Sequence, residues 1–444
     1  MDKLLVSYYG DDFTGSTDVM EALASNGIAT ALFLDIPTPE ILARFKGCQA
    51  IGIAGTSRSE TPAWMQQHLT PAFEWLKSLG AEICHYKVCS TFDSSAEIGS
   101  IGKAIEIGRT TFAQSIVPVI VGAPQLKRYT AFGNLFAAYQ GRIYRIDRHP
   151  VMRCHPVTPM DEADLAVHLA KQTRVPVAVA DLVALTSANA DARIDELASI
   201  SDGIVLIDVE SEATQVAAGK QLLRLTSKSS SFVAGSSGVE YALLSAWRRN
   251  GVIGESSEFA DVGPVDRLAV VSGSVSPTTE RQIRNAVHDG FESIALDPLA
   301  LVSEDSERSA DEAVQAGTRK LKEGKSVIFY TALGPSADVG VHIDMVPGAR
   351  HKLGSVLGSV LRRLIESERL SRAVIAGGDT SSHALRQLKI DALTTLLPLP
   401  HTPGSPLCLA HGSYGPTNGL QIALKGGQVG SDGYFAQIRD GRKN

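Results

Sequence analysis

The chain has 444 residues, with 42 basic against 48 acidic side chains and a formal charge of −6. That length suits two or three domains of roughly 100–200 residues each, and the charge lacks the basic excess of a nucleic-acid-binding surface. Hydrophobic residues make up 44 % and charged residues 20 %, a composition that excludes a disordered chain. The elements then read as strands alternating with helices. Leu4–Tyr9 is a strand that breaks at Gly10-Asp11-Asp12, and a helix follows from about Thr14 to Ala24. Thr30–Leu34 is the next strand, followed by a Pro37-Thr38-Pro39 turn into a helix. Ala50–Ala54 ends in Thr56-Ser57-Arg58, and Glu82–Val88 ends in Cys89-Ser90-Thr91. Ser115–Val121, Val175–Ala180 and Gly203–Asp208 are short and Val/Ile-rich, as strands covered on both faces are.

The polar stretch Trp247–Phe259 reads as a linker, after which alternation restarts at Leu268–Ser272, Lys325–Tyr330 and Ala373–Ala376. The last forty-odd residues contain Pro398, Pro400, Pro403 and Pro406, then several Gly-rich turns. The fold class expected is α/β with two domains. An open parallel-sheet, Rossmann-like domain spans 1–250, and an α/β nucleotide-binding domain spans 260–444. No apolar run approaches the roughly 20 residues that cross a bilayer. The start lacks a signal-peptide layout, and five cysteines without CxxC spacing point to reduced thiols. A soluble, cytoplasmic protein is expected, with no nucleic-acid or membrane partner.

Ligands of open α/β sheets bind beyond the carboxyl ends of the strands. There the first domain places Asp11 and Asp12, a doublet that could hold a hydroxylated substrate, ligate a metal or remove a proton. One of the pair could equally cap the helix that follows. Arg58 offers a fork suited to a carboxylate, or else a surface ion pair, and Lys87 sits at the end of the fourth strand. Together the three charged strand ends outline a pocket for a small hydroxylated acid. The second domain carries small and Gly-rich loops: Ser272-Gly273-Ser274-Val275-Ser276, Gly377-Gly378-Asp379-Thr380, Pro403-Gly404-Ser405-Pro406 and Lys425-Gly426-Gly427. Backbone N–H groups of such loops can approach phosphate oxygens. None fits the Walker pattern, since Gly102-Lys103 runs into Ala104, and no GxGxxG follows the first strand. The histidines lack metal spacing, the metal ligands stay unassigned, and Cys89 suits a packed thiol better than a nucleophile.

In set and order these motifs resemble the four-carbon acid sugar kinases, which phosphorylate threonate, erythronate and 3-oxo-tetronate with ATP. The resemblance runs over nearly the whole chain, and includes Ala234-Gly235-Ser236-Ser237-Gly238. It implies a sugar acid bound by the N-terminal domain through Asp12, Arg58, Lys87, Ser90 and Thr91. It implies ATP, with Mg²⁺ on its phosphates, bound by the C-terminal domain. The nucleotide residues would be Ser272, Ser274, Ser276, Gly377, Gly378, Asp379, Thr380, Gly404, Lys425 and Gly427. Gly354 and Gly358 would join them at the start of a helix.

One stretch departs from the pattern. Family members commonly read Lys-x-Asp-Ser-Thr-Leu-Arg-Gly-Asn, where this chain has Lys87-Val88-Cys89-Ser90-Thr91-Phe92-Asp93-Ser94-Ser95. An acid becomes Cys89, and a cation becomes Asp93. The usual Gly-Arg-Thr becomes Lys127-Arg128-Tyr129-Thr130, so that Arg128 could replace the missing cation. A divergent branch acting on a related acid, such as the branched 3-oxo-isoapionate, is therefore expected. Asp12, with Asp11 as its alternate, would deprotonate a terminal hydroxyl for phosphoryl transfer. The alternatives are a threonate, erythronate or 3-oxo-tetronate kinase, a nicotinamide-dependent oxidoreductase, and a non-catalytic sugar-acid sensor. A homodimer is the expected assembly.

Overall fold

The computed structural model describes residues 4–155, 157–226 and 230–443. They form two compact units. The first takes in the chain up to Asp11, Ala22–Thr30 and Thr38–Ser257. The second takes in Asp12–Glu21, Ala31–Pro37 and the chain from Glu258 on. A division by sequence near residue 250 leaves the two early segments of the second unit in the first.

In chain order the strands up to residue 257 are β1 (Val6–Gly10), β2 (Thr30–Phe33), β3 (Ala50–Ala54) and β4 (Ile83–Lys87). They continue with β5 (Val117–Ile120), β6 (Arg128–Ala131), β7 (Asn134–Tyr139) and β8 (Arg142–Arg145). β9 (Val177–Ala180), β10 (Ile204–Ile207) and β11 (Ser231–Gly235) follow. The sheet of the first unit runs β3-β1-β4-β11-β5-β10-β9, and each neighbouring pair is parallel. Its central strands are buried on both faces, which is why they read as continuous apolar runs. Helices Pro62–Ser78 and Ile101–Phe112 cover one face through Met65, Leu69, Phe73, Ala104, Ile105 and Phe112. Gly108 leaves room there for the Phe232 ring, which a Cβ would meet at 2.2 Å. A separate antiparallel meander, β6-β7-β8, had no counterpart in the sequence reading. Its strands are short and half-exposed, so no apolar run marks them.

In the second unit lie β12 (Ala269–Ser272), β13 (Glu292–Ala295), β14 (Val327–Tyr330) and β15 (Arg372–Ala376). β16 (Ala392–Leu397), β17 (Leu407–His411) and β18 (Gln421–Lys425) complete it. The order β13-β14-β12-β15-β18 is parallel, and β17, β16 and β2 then add antiparallel strands. The Pro- and Gly-rich tail thus conceals two paired strands, β17 and β18.

Two local expectations need correction. Trp247 does not open the linker: it is buried on helix Gly238–Arg249, with Val239, Leu243 and Ala246 on the same apolar face, so the polar linker begins only at Asn250. Gly354 and Gly358 do not start a helix either. They lie inside Ala349–Glu368, where glycine lets that helix sit against helix Gly378–Gln387. A Cβ on Gly358 would lie 2.4 Å from the Ala384 carbonyl oxygen. Gly358→Ala is therefore expected to cost about 1–3 kcal/mol through overpacking, read as a lowered denaturation midpoint.

Candidate functional site

In the first unit β3 lies on one side of β1 and β4 on the other, so the winding of the sheet reverses between β1 and β4. A crevice is expected beyond the carboxyl ends of such a pair. There the chain sets Asp11 after β1 and Lys87 at the end of β4. The Asp11 N–H donates to the Lys87 carbonyl at 2.9 Å. The Arg58 guanidinium grips the Asp11 carboxylate with two bonds, Nη2 to Oδ1 at 2.7 Å and Nε to Oδ2 at 3.1 Å. The Asp11 side chain is only 6 % exposed and that of Arg58 26 %. Lys87 is buried, and its partners in register are Gly10 and Gly235.

The departing stretch 89–95 is a hydrogen-bonded network. Cys89 Sγ lies 2.8 Å from the Thr91 hydroxyl, which donates to Asp93 Oδ1 at 2.5 Å. Thr158 donates to Asp93 Oδ2 at 3.4 Å, and its hydroxyl lies 3.1 Å from His155 Nδ1. Burial pushes the Asp93 carboxyl up, but Arg58, the Thr91 hydroxyl and His155 outweigh it and hold it below the usual carboxylate range. Arg128 is mostly buried, and burial lowers its guanidinium while the nearby Cys89 opposes that. Among the described residues its buried Nε has no hydrogen-bond partner. Cys89 feels both Asp93 and Arg58, and burial holds its thiol up, which disfavours a thiolate nucleophile. Thr158, His155 and the buried His168, 2.9 Å from Ser94 Oγ, were missed by sequence reasoning. Thr158 and His155 come from a distant loop and His168 from helix Leu165–Ala170, and none carries a local motif.

Asp12 belongs to the second unit and begins helix Phe13–Ser25. Its Oδ1 accepts from the Gly15 N–H at 2.6 Å and its Oδ2 from the Thr14 hydroxyl at 2.9 Å. It therefore caps the helix.

The second unit reverses its winding between β12 and β15. The loops after β12, β15 and β18 converge there. A Cβ on Gly273 would meet Thr380 Oγ1 at 2.2 Å, one on Gly377 would meet Ser274 N at 3.3 Å, and one on Gly427 would meet Ser274 Oγ at 3.0 Å. The backbone of Gly377 has φ +113°, which a side chain would strain. Ser272 is buried beneath, and Ser276 caps helix Pro277–His288 by accepting from the Thr278 N–H. Gly273, Gly354 and Thr380 line one cleft with Thr331, Asp338 and Arg350, which the sequence did not single out. Nothing crowds Gly378 within 4 Å, and the Asp379 side chain lies outside the described residues. This glycine cradle fits the backbone recognition of phosphates.

Lys425 is fully buried, and its ammonium donates to Thr279 Oγ1 at 3.1 Å, Gly426 O at 2.8 Å and Val429 O at 3.4 Å. Its three hydrogens are thus spent on the protein, and Lys425 organises the glycine turn. Burial pushes it down to about 7 from 10.5. Between those values the unfolded chain binds a proton that the folded chain lacks, so stability rises with pH across that window. Denaturation midpoints over about pH 7–10.5 check this, and Lys425→Met should flatten that part of the rise. Gly404 is held elsewhere, against Thr17 and Glu21.

The description "Sugar-binding N-terminal domain" matches residues 6–243 and "Nucleotide-binding C-terminal domain" matches residues 269–435. The chain belongs to the four-carbon acid sugar kinase family. This sugar-acid kinase is 45 % identical over 448 residues to the 3-oxo-isoapionate kinase of Paraburkholderia graminis, which spans 99 % of this chain and 95 % of that one. It is 27 % identical over 436 residues to the 3-oxo-tetronate kinase of Cupriavidus necator, covering 97 % and 95 %. A crystal structure from Salmonella typhimurium LT2 shares the kinase's fold, at TM-score 0.77 and 24 % identity over 98 % of each chain. Among the described residues no helix is long and apolar enough to cross a membrane, and no three His, Cys, Asp or Glu side chains group to hold a metal ion.

Proposed function

We propose that this kinase transfers the γ-phosphoryl group of ATP to a terminal hydroxyl of 3-oxo-isoapionate. The observation that carries the substrate is the 45 % identity over 99 % of the chain to a kinase of that acid. The buried Asp93 network supports it, because a carboxylate held ionised there would accept hydrogen bonds from hydroxyls where a cation would grip an anion. In the proposed step Asp12 takes the proton of the attacking hydroxyl, whose oxygen bonds to the γ-phosphorus as the bond to the β-phosphate oxygen breaks. Arg58, Lys87, Ser90, Thr91 and Arg128 orient the acid, and the unpaired Nε of Arg128 is suited to a ligand oxygen. Ser274, Gly377, Gly378, Thr380 and Gly427 cradle the phosphates. Mg²⁺ comes with the nucleotide, since it binds mainly phosphates and water with one or two carboxylates. Cytoplasmic residence and a homodimer complete the reading, the former supported by five free cysteines.

The test is ADP release with Mg-ATP against a panel of C4 acids and branched C5 acids, including the 3-oxo forms. Turnover of the branched 3-oxo acid at the highest kcat/KM is expected. A preference for 3-oxo-tetronate, threonate or erythronate would overturn the substrate and make the 89–95 stretch neutral for specificity.

A further inference from the structure

Helix Phe13–Ser25 carries Asp12 at its start, and its next two turns grip a loop of the same unit. Thr17 donates to the Gly404 carbonyl at 2.8 Å. The Glu21 carboxylate accepts from the Gly404 N–H at 2.6 Å and from the Leu399 N–H at 2.7 Å. Thr17 and Glu21 are four apart on one helical face, so that face holds both backbone polar groups of Gly404. Gly404 has φ +86°, and a Cβ there would lie 3.1 Å from Asp18 Cβ, so the loop rests directly on the helix.

The loop leads on to the nucleotide cradle. A Cβ on Gly430 would touch Thr402 Cγ2 at 3.3 Å. The carbonyl of Val429 accepts from both Gln282 and Lys425, and Lys425 reaches Ser274 through Thr279. Glu21 is 7 % exposed, and burial outweighs the Gly404 and Leu399 N–H bonds to push its carboxyl up to about 8, a costly placement in which both its oxygens are bonded to the loop.

Resting on the kinase reading, with Asp12 as base, we propose that Glu21 and Thr17 are positioning residues. They lock the Asp12 end of the helix to the nucleotide-binding loops, so that ATP binding and base placement are set together.

Steady-state kinetics on Glu21→Gln and Thr17→Val, with ATP affinity from equilibrium titration, test this. The glutamine turns its amide NH₂ toward one of the two N–H groups and loses that acceptor. Misplacement of the base should lower kcat up to about 100-fold. The KM and Kd for ATP should rise several-fold, while KM for the sugar acid stays at the wild-type value. Thr17→Val should shift the same constants in the same direction by less, and it decides alone should Glu21→Gln fail to fold. Unchanged kcat and ATP affinity in the folded variants would overturn the proposal. So would equal changes in both KM values that follow a lowered Tm. If the wild type turns over no acid, the kinase reading fails by itself. ATP affinity then still decides the clamp: weakened in the variants it stands, unchanged it falls.

Discussion

Asp12→Asn is expected to fold, to bind ATP normally and to lose about 10²–10⁴-fold in kcat, the range of a positioned general base. Asparagine caps helices about as well as aspartate, and its amide oxygen can still accept from the Gly15 N–H that Oδ1 now takes. The Thr14 hydroxyl, which donates to Oδ2, can turn and accept instead. What asparagine cannot do is take a proton. Asp12→Ala would remove the cap as well, at about 1 kcal/mol, so comparing the two separates the structural duty from the chemical one. A kcat near wild type in Asp12→Asn would reject Asp12 as the base.

Arg58→Ala is expected to destabilise the first unit and to abolish most turnover. It leaves the Asp11 carboxylate, 6 % exposed, without the fork that holds both its oxygens. Removing one partner of a buried pair costs about 3–5 kcal/mol, and the partial exposure of Arg58 argues for the lower end. Asp93 loses a neighbour that keeps its carboxyl low, so its pKa should rise. The double variant Asp11→Asn with Arg58→Met removes the orphaned charge and should recover most of the denaturation midpoint. Activity should stay low in it if Arg58 also orients the acid. Recovery of activity together with stability would mean that the arginine serves Asp11 alone.

Much of the fold was legible because buried parallel strands such as Ala50–Ala54 and Ile204–Ile207 are apolar throughout and are punctuated by helices. The meander β6-β7-β8 and the strands β16–β18 were not. They run over four to six residues with half-buried positions scattered among buried or exposed ones, too few for a period to emerge. Within the site, Asp11, Arg58 and Lys87 were legible as charges at strand ends. That two of them would neutralise each other was not, because it depends on which strands lie side by side. Asp93 could be read as a departure from the family's pattern, while Thr158 and His155, its distant partners, could not. Lys425 drew notice beside glycines, yet its hydrogens face the protein, which only burial reveals. Glu21 drew none, since a glutamate in mid-helix ordinarily faces water.

The nucleotide-binding unit also owns Asp12–Glu21 and Ala31–Pro37, and β2 completes the antiparallel side of its sheet. A gene segment beginning at the linker therefore encodes an incomplete unit, with β16 unpaired on one side and the 399–404 loop stripped of its acceptors. Recombination at that seam cannot exchange this half as a cassette, as it can where each domain is one uninterrupted stretch. A new acid specificity is then reached by substitution within the whole chain and not by the trading of modules.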